Sequence, residues 1–576
     1  MSQMTNEELA AVFERVADLL EIKGENAYRV LAYRRVAETL RTLGQEVSLL
    51  RAQGRLQEIP GVGKAIAEKI EELLDTGELG FLKRLEAEVP PSLIELLQIP
   101  DVGPKRAALF WKQAGITTLE ALEEAARAGR LRTLPGMGEK SESRILEGIE
   151  ALRRRSHRLP LGMARPMALR WVEWLRQQPG VIRVELAGSL RRWRATVGDL
   201  DLVAASHQPE ALMDAFVHHP DVYRVLAQGE NKASIETKSG TRLQLWCQPP
   251  EKFGSLWQYA TGSKEHNVRL RGLAQKQNLS LSEHGLSDET GHEQHFADEE
   301  SLYQALGLPW IPPELREDRG EIEAALKGQL PELLRKEHLQ SELHTHSTWS
   351  DGAATLEEMI AAAYARGLRV IAITDHSAGL GIANGLTPER LHQQRAEIEA
   401  LRQRWGDKLL ILQGAEVEIR ADGQLDYPDE VLAELDLVIA SLHVSLRQSR
   451  SEITRRVLNA ICNPHVDIIG HPSGRLLPNR EGADLDWDTV LAEALKHGTA
   501  LEINANPARL DLDDVYARRA AEMGIPLALN TDAHTPGDLD LIEYGIGIAR
   551  RGWVEPPQII NTWSPERLLG WLRGRG

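Results

Sequence analysis

Beyond about Leu339 the sequence alternates short apolar runs with amphipathic helical stretches, and nearly every run ends on an acid or a histidine: "RVIAITD", "LLILQGAEVEI", "LDLVIASLHVS", "VDIIGHP", "TALEINA" and "PLALNTDAH". No other feature of the chain restricts its fold so tightly. Continuous apolar runs belong to strands covered on both faces, and strands separated by helices pair in parallel. When such a sheet curls into a βα barrel, every strand C-terminus opens on the same end, so side chains distant in sequence meet there. The ends offer His344, His346 and Asp351 in "LHTHSTWSDG", Asp375 and His376 in "ITDHS", and Glu416 in "QGAEVEI". His443 follows in "SLHVS", His471 in "IIGHPSGR", and Asp532 and His534 in "NTDAHT". A single strand-end histidine is ordinarily a packing or hydrogen-bonding residue. A set this large points to imidazoles and carboxylates sharing borderline divalent cations, a grouping able to clamp both the attacking and the leaving oxygen of a phosphate ester.

The set resembles the PHP (polymerase and histidinol phosphatase) domain, a distorted βα barrel with a trinuclear metal site. His344, His346, Asp351, His376, Glu416, His443, His471, Asp532 and His534 each fall on a motif position, and none of the nine is missing. The resemblance implies three divalent metals, Zn²⁺ or Mn²⁺, and metal-dependent phosphoesterase chemistry. It implies further that Glu416 bridges two metals and that Asp375 supports its neighbour rather than ligating.

From Thr5 to about Leu152 the pattern is helical, interrupted by three similar turns: "IPGVGKAIAEKI" from Ile59, "IPDVGPKRAALF" from Ile99 and "LPGMGEKSESRIL" from Leu134. A Gly-rich turn opening into a helix presents unpaired backbone N–H groups to an anion. Gly61, Gly63 and Lys64 in the first copy, and Gly136 and Gly138 in the third, are therefore candidates to grip a DNA phosphate without reading bases. One such turn also serves as a plain helix stop; three in one helical region point to helix-hairpin-helix motifs. The middle copy carries Asp101 where glycine is usual, and an acid there repels the backbone it should hold.

Between about Leu159 and Trp310, strand-like runs mixed with helices predict an α+β domain. In "LAGSLRRWRATVGDLDLV" the alternation of a strand puts Asp199 and Asp201 on one face, where two carboxylates suit Mg²⁺ or Mn²⁺ against a triphosphate. A paired acid on a strand is otherwise a solvated edge. A second signal, "YATGSKEHNVRLR" from Tyr259, joins it. From "AYRVLAYRRVAETL" to "GLPWIPPELRE" the chain resembles the DNA polymerase X family, and with the barrel behind it, the bacterial members that carry a C-terminal PHP domain.

That resemblance implies a multidomain α/β protein: a helical DNA-binding domain at 1–80, a fingers-like helix-hairpin-helix domain at 81–157, a palm at 158–247, a thumb at 248–315, a Pro-rich linker at 316–338 and the PHP domain at 339–576. It implies that Ser189, Arg192, Gly198 and Arg158 meet the triphosphate, that Tyr259 and Asn267 line sugar and base, and that Arg271 meets the template minor groove. Arg29 and Tyr33 would meet a 5′ phosphate at a gap. Lys69 matches the amine that forms a Schiff base with an abasic sugar, the AP lyase chemistry of base excision repair; on its own it reads equally as an exposed helix lysine.

The chain departs from the polymerase pattern at its third catalytic acid. Fifteen residues ahead of Tyr259, on the run "TRLQLW", stands the neutral Gln244, and Arg242 in its expected place supports that register. Ala195 stands where glutamate is usual. The third acid ligates the metal at the primer hydroxyl and can take its proton, so synthesis is expected to be slow and better with Mn²⁺ than Mg²⁺. Glu236, one strand earlier, is a candidate substitute.

A net charge of -17 is not a nucleic-acid binder's signature, so local basic groups must carry any DNA binding; Arg153 to Arg155 and Arg191, Arg192 and Arg194 are candidates, though either run on its own reads equally as a solvated charged face. Cys247 and Cys462, far apart and outside any metal spacing, read as buried thiols. The N-terminus lacks the basic start and apolar block of an export signal, and no run reaches membrane-spanning length, so a cytoplasmic protein without membrane contact is expected; a monomer is expected as well. The leading reading is a DNA-repair enzyme that fills gaps from deoxynucleoside triphosphates on gapped or nicked DNA and trims 3′ ends. The alternatives are a nuclease or phosphatase whose front half only binds DNA, and a barrel serving a small phosphate ester.

Overall fold

The computed structural model describes residues 4, 6–42, 47–52, 54–59, 61–99, 102–155 and 158–574. The chain divides into two compact units, Met1–His157 and Arg158–Gly576.

The first unit is helical. Its longer helices, Asn6–Lys23, Ala27–Thr42, Lys64–Thr76, Pro104–Ala114 and Glu139–Arg155, turn their apolar stripes onto one core that runs from Leu9 and Phe13 through Ile70, Leu93 and Phe110 to Ile145 and Ile149. The boundary expected at residue 80 is therefore not a break in packing.

The second unit begins with a five-stranded sheet of β1 (Val181–Leu186), β2 (Leu200–Ser206), β3 (Val222–Gln228), β4 (Lys232–Thr237) and β5 (Arg242–Gln248), in the order β1-β2-β5-β4-β3. β2 is buried along its length save at Asp201 and lies parallel to β5, with Asp201 directly opposite Gln244. Two helices, Phe253–Thr261 and Lys264–Gln275, lead to a small antiparallel sheet and the helix Glu299–Ala305.

The segment expected to be a linker is packed. Arg316 has no exposed surface and donates both terminal nitrogens to the buried Glu299, at 2.7 and 3.0 Å. Glu321–Leu326 forms a helix, and Leu334 belongs to the largest apolar core. A Pro-rich composition here fixes the backbone of tight turns instead of loosening it.

The barrel has seven parallel strands: β6 (Ser341–Glu342), β7 (Val370–Ile373), β8 (Leu410–Glu418), β9 (Leu437–Ser441), β10 (Ile468–Gly470), β11 (Ala500–Asn504) and β12 (Leu527–Asn530), each paired with the next. A bridge between Thr345 and Ala533 links the extensions of the first and last strands. Glu342 tightens that closure by accepting from the backbone of His344 and from Thr531. One continuous apolar core joins the five-stranded sheet to the barrel, from Leu161 and Leu202 through Val417 and Ile469 to Leu529.

Candidate metal centre and nucleotide site

At the C-terminal end of the barrel the nine expected residues converge, and Glu416 is their hub. Its Oε2 lies 3.3 Å from His344, 3.5 Å from His346 and 2.9 Å from His376, and its Oε1 lies 3.3 Å from His443 and 2.8 Å from His471. Asp532 sits 3.1 Å from His346, while Asp351 lies 3.5 Å from both His376 and His534. Eight of the nine fall into three overlapping groups whose donor atoms are close enough to share an ion, and His471 joins them through Glu416.

The electrostatics match a cation site. Burial would push the Glu416 carboxyl up, yet His376, His443 and His344 hold it well below the usual carboxylate range. Burial likewise opposes charge on His344, but Glu502, Asp532 and Glu416 raise it well above an ordinary imidazole. Carboxylates that pull this hard on buried imidazoles call for positive charge. Buried donors without a hydrogen-bond partner point the same way: Nε2 of His344, both ring nitrogens of His346, Oε2 of Glu416 and Nδ1 of His471. Such orphans are costly unless an ion occupies them. The donor set thus fits divalent metals.

Behind the donors stand groups that sequence reasoning missed. Glu502 accepts from Nδ1 of His344 at 2.7 Å and from the His471 backbone at 2.6 Å, and Glu418 accepts from Nδ1 of His443 at 2.7 Å. These bonds fix the tautomer and turn each Nε2 inward. Glu418 was signalled by its spacing, two residues from Glu416 on one strand; Glu502 by being an acid in the middle of a wholly buried strand. Asp375, expected to support its neighbourhood, accepts from Ser347, Ser350 and Gln394. Gly470 lets the rings approach: a Cβ there would stand 2.4 Å from Ser441 Oγ and 3.6 Å from His344. His471 and Asp532 hold left-handed backbone, φ 26° and 56°, a conformation that strand-end residues adopt only when their surroundings impose it.

In the five-stranded sheet, Asp199 and Asp201 lie together, and the Gln244 amide donates to Asp199 Oδ2 at 3.0 Å. Burial, then the neighbouring Asp199, pushes Asp201 up to about 7. Gly188, at φ 57°, is what makes room: a Cβ there would stand 2.0 Å from Asp201 Oδ2. Glu236 does not reach this group. Its register partner is Arg242, two residues from Gln244, and Arg224 binds its carboxylate at 2.8 and 2.6 Å.

Ser189 stands in the one-turn helix Gly188–Arg191, and Arg158 bonds Thr196 close to Gly198. Arg192 is gripped by Glu317 and by the Thr261 carbonyl, and Arg191 by Glu299, so both are spent on internal partners; Arg194, 3.3 Å from Glu317, keeps its side chain half-exposed. Asn267, expected at the base, holds the Tyr259 carbonyl at 2.9 Å and accepts from Gln258 at 2.8 Å. Arg271 is exposed on its helix. Cys247 is buried as expected, but Cys462 is exposed, because it caps the end of the helix Arg450–Ile461 where the chain turns into solvent.

In the helical unit, Arg29 and Lys69 both sit over the Phe81 ring, at 5.4 and 5.5 Å from its centre, and Tyr33 stacks on its face. Tyr33 is nearly buried between Phe13 and Phe81, with its hydroxyl beside Arg29. Gly61 and Gly136 hold left-handed turns, and Gly63 caps Lys64–Thr76 without a side-chain partner for its first N–H groups. Pro104 opens the middle helix and removes one donor. Asp101 and the side chains of Arg153 to Arg155 lie outside the described residues. Among those described, no helix is long and apolar enough to cross a membrane.

Family profiles match at four places: a helix-hairpin-helix domain at 4–79, a SAM-like helix-hairpin-helix tandem at 93–151, the DNA polymerase beta thumb at 256–317 and the PHP domain at 342–506. The chain is 38% identical over 573 residues to the DNA polymerase/3'-5' exonuclease PolX of Bacillus subtilis (strain 168), covering 99% of this chain and all of that one. It is also similar, at 33% over 231 residues, to a probable phosphatase of Thermoanaerobacter sp. (strain X514), covering 38% of this chain and 89% of that one. A probable phosphatase of Syntrophotalea carbinolica matches at 31% over 230 residues, 38% of this chain and 90% of that one.

Proposed function

The chain belongs to the bacterial DNA polymerase X family with a C-terminal PHP domain, and from that premise we propose that it fills gaps in DNA and trims 3′ ends as one repair enzyme. It is a DNA-directed DNA polymerase and 3′-5′ exonuclease. The observation that carries the exonuclease is the barrel centre, where Glu416 touches five imidazoles.

Glu416 and the eight residues around it would hold three divalent ions, Zn²⁺ or Mn²⁺, which when bound polarise a phosphate ester and activate water against it. The protein's own part is orientation. Glu502 and Glu418 keep His344 and His443 in the tautomer that faces the ions. Burial keeps the His346 ring neutral, so one of its two unpartnered nitrogens offers a lone pair to an ion. Asp199 and Asp201 would hold Mg²⁺ or Mn²⁺ beside the triphosphate, with Ser189, Arg192, Gly198 and Arg158 around it. Tyr259 and Asn267 would line the sugar and base, and Arg271 would meet the template minor groove. Lys69, which shares the Phe81 ring with Arg29, supports a lyase role at a gap's 5′ end, and the Gly61 and Gly136 turns support phosphate contacts. We place the protein in the cytoplasm, as a monomer.

One observation favours a second reading, in which the front half only guides the nuclease: Gln244 offers Asp199 an amide where a polymerase offers a carboxylate. Degradation of a 3′-labelled primer by the full chain, set against His344→Ala, tests the barrel assignment. Loss of degradation in the variant is expected; retention would overturn it.

A further inference from the structure

Arg192, which the reading above assigns to the triphosphate, is held from the barrel. Its Nε donates to Glu317 at 3.0 Å and its Nη1 to the Thr261 carbonyl, which leaves Nη2 for a ligand. Glu317 is itself held by Arg551, at 2.8 Å, and by Arg194, at 3.3 Å. Arg551 ends the barrel helix Ile542–Arg551, is 2% exposed, and donates with the same nitrogen to the backbone carbonyl of Arg192 at 2.7 Å. Its other terminal nitrogen binds Asp514 at 3.0 Å, which Arg319 binds at 2.7 Å. Signs alternate through the network, as buried charges must. Next along the chain, Trp193 holds φ 56° with its ring so close to the barrel that a Cβ on Gly547 would stand 2.6 Å from it.

The physical consequence concerns where Arg192 points. Glu317 divides its two oxygens among three guanidiniums. Without Arg551, a nearly buried carboxylate would be left with Arg192 and the half-exposed Arg194, and it would draw toward itself the Arg192 charge that Asp201 feels.

We propose that Arg551 is a positioning residue of the nucleotide site: through Glu317 and the Arg192 backbone, the barrel fixes the guanidinium that receives the triphosphate. Nucleotide binding by the front half then depends on a residue of the rear half. The inference rests on the assignment of Arg192 to the triphosphate.

The test titrates the full chain with a deoxynucleoside triphosphate and Mn²⁺, and in parallel with the monophosphate, for the natural protein and for Arg192→Ala, Arg551→Met, Arg551→Lys, Glu317→Gln and the Arg551→Met/Glu317→Gln pair. Arg551→Met is expected to weaken triphosphate binding on the order of tenfold to a hundredfold, the scale of a misplaced positioning group, with monophosphate binding and exonuclease rate unchanged. Arg551→Lys falls between. The double variant binds no worse than Arg551→Met, since Glu317→Gln removes the charge that Arg551→Met leaves uncompensated, and additive losses would overturn the coupling. If Arg192→Ala leaves triphosphate binding unchanged, the underlying assignment is wrong. If Arg192→Ala weakens it and Arg551→Met does not, the positioning role is wrong. Should Arg551→Met lose exonuclease as well, the fold has suffered; Arg551→Lys and Glu317→Gln then decide, and normal triphosphate binding in both would overturn the proposal.

Discussion

Two single side chains carry testable expectations for the polymerase half. Gln244 occupies the position opposite Asp201, and its amide donates to Asp199. It can neither give a metal a charged oxygen nor accept the primer's proton. Restoring the acid by Gln244→Asp is expected to raise single-nucleotide insertion by about 10²–10⁴, the worth of a positioned base, measured on a one-nucleotide gap with Mg²⁺. Equal rates would show that another group already serves. Asp201 brings a pH dependence of its own. Because burial and Asp199 raise it to about 7, the carboxyl is protonated below that pH and a metal must displace the proton. Manganese-dependent triphosphate binding should therefore weaken as pH falls below about 7 and level off above it. A binding curve flat across that range would mean that Asp201 is not a ligand. Gly188 protects the same carboxylate. A methyl group there meets Asp201 Oδ2 at 2.0 Å on a left-handed backbone, so Gly188→Ala should abolish insertion while leaving exonuclease rate intact.

At the scale of strands and turns, the barrel was the most legible part of the chain. The βα alternation gave the parallel sheet, and the strand ends gave its donors, because in this architecture sequence position alone dictates which end a residue faces. What escaped was the layer behind. Glu502 and Glu418 lie inside strands, where an acid reads as an oddity until its histidine partner is known, and that partner is far away in sequence. The Pro-rich stretch after Trp310 escaped for a similar reason: Arg316 looks like surface charge until Glu299 is found beside it. The missed layer is testable. Glu502→Gln keeps shape but weakens the hold on the His344 tautomer, and loss of such a partner lowers metal affinity about 10–100-fold. Metal content after dialysis against graded chelator should fall accordingly, with the fold intact by circular dichroism. Unchanged retention would remove Glu502 from the metal centre.

Across the whole molecule, the two halves of the expected enzyme are not joined as beads. Met1–His157 packs on its own core, from Leu9 to Ile149, whereas the five-stranded sheet shares a single core with the barrel. Gly162 meets Pro507 so closely that a Cβ would stand 2.5 Å from it, and the Arg551 network crosses the same seam. A protein built this way should tolerate one cut and not the other. Removing residues 1–157 is expected to leave a soluble chain with normal 3′ trimming of single strands. Its affinity for gapped DNA and the salt dependence of that affinity should drop, since helix-terminal phosphate contacts are lost. Ending the chain before the barrel, at residue 338, strips the sheet of Val417, Ile469 and their neighbours and exposes apolar surface that only association can cover. That fragment should aggregate or melt without a cooperative transition. A cooperative, monomeric fragment 1–338 would mean that the shared core contributes little, and would weaken with it any claim that the barrel shapes the nucleotide site.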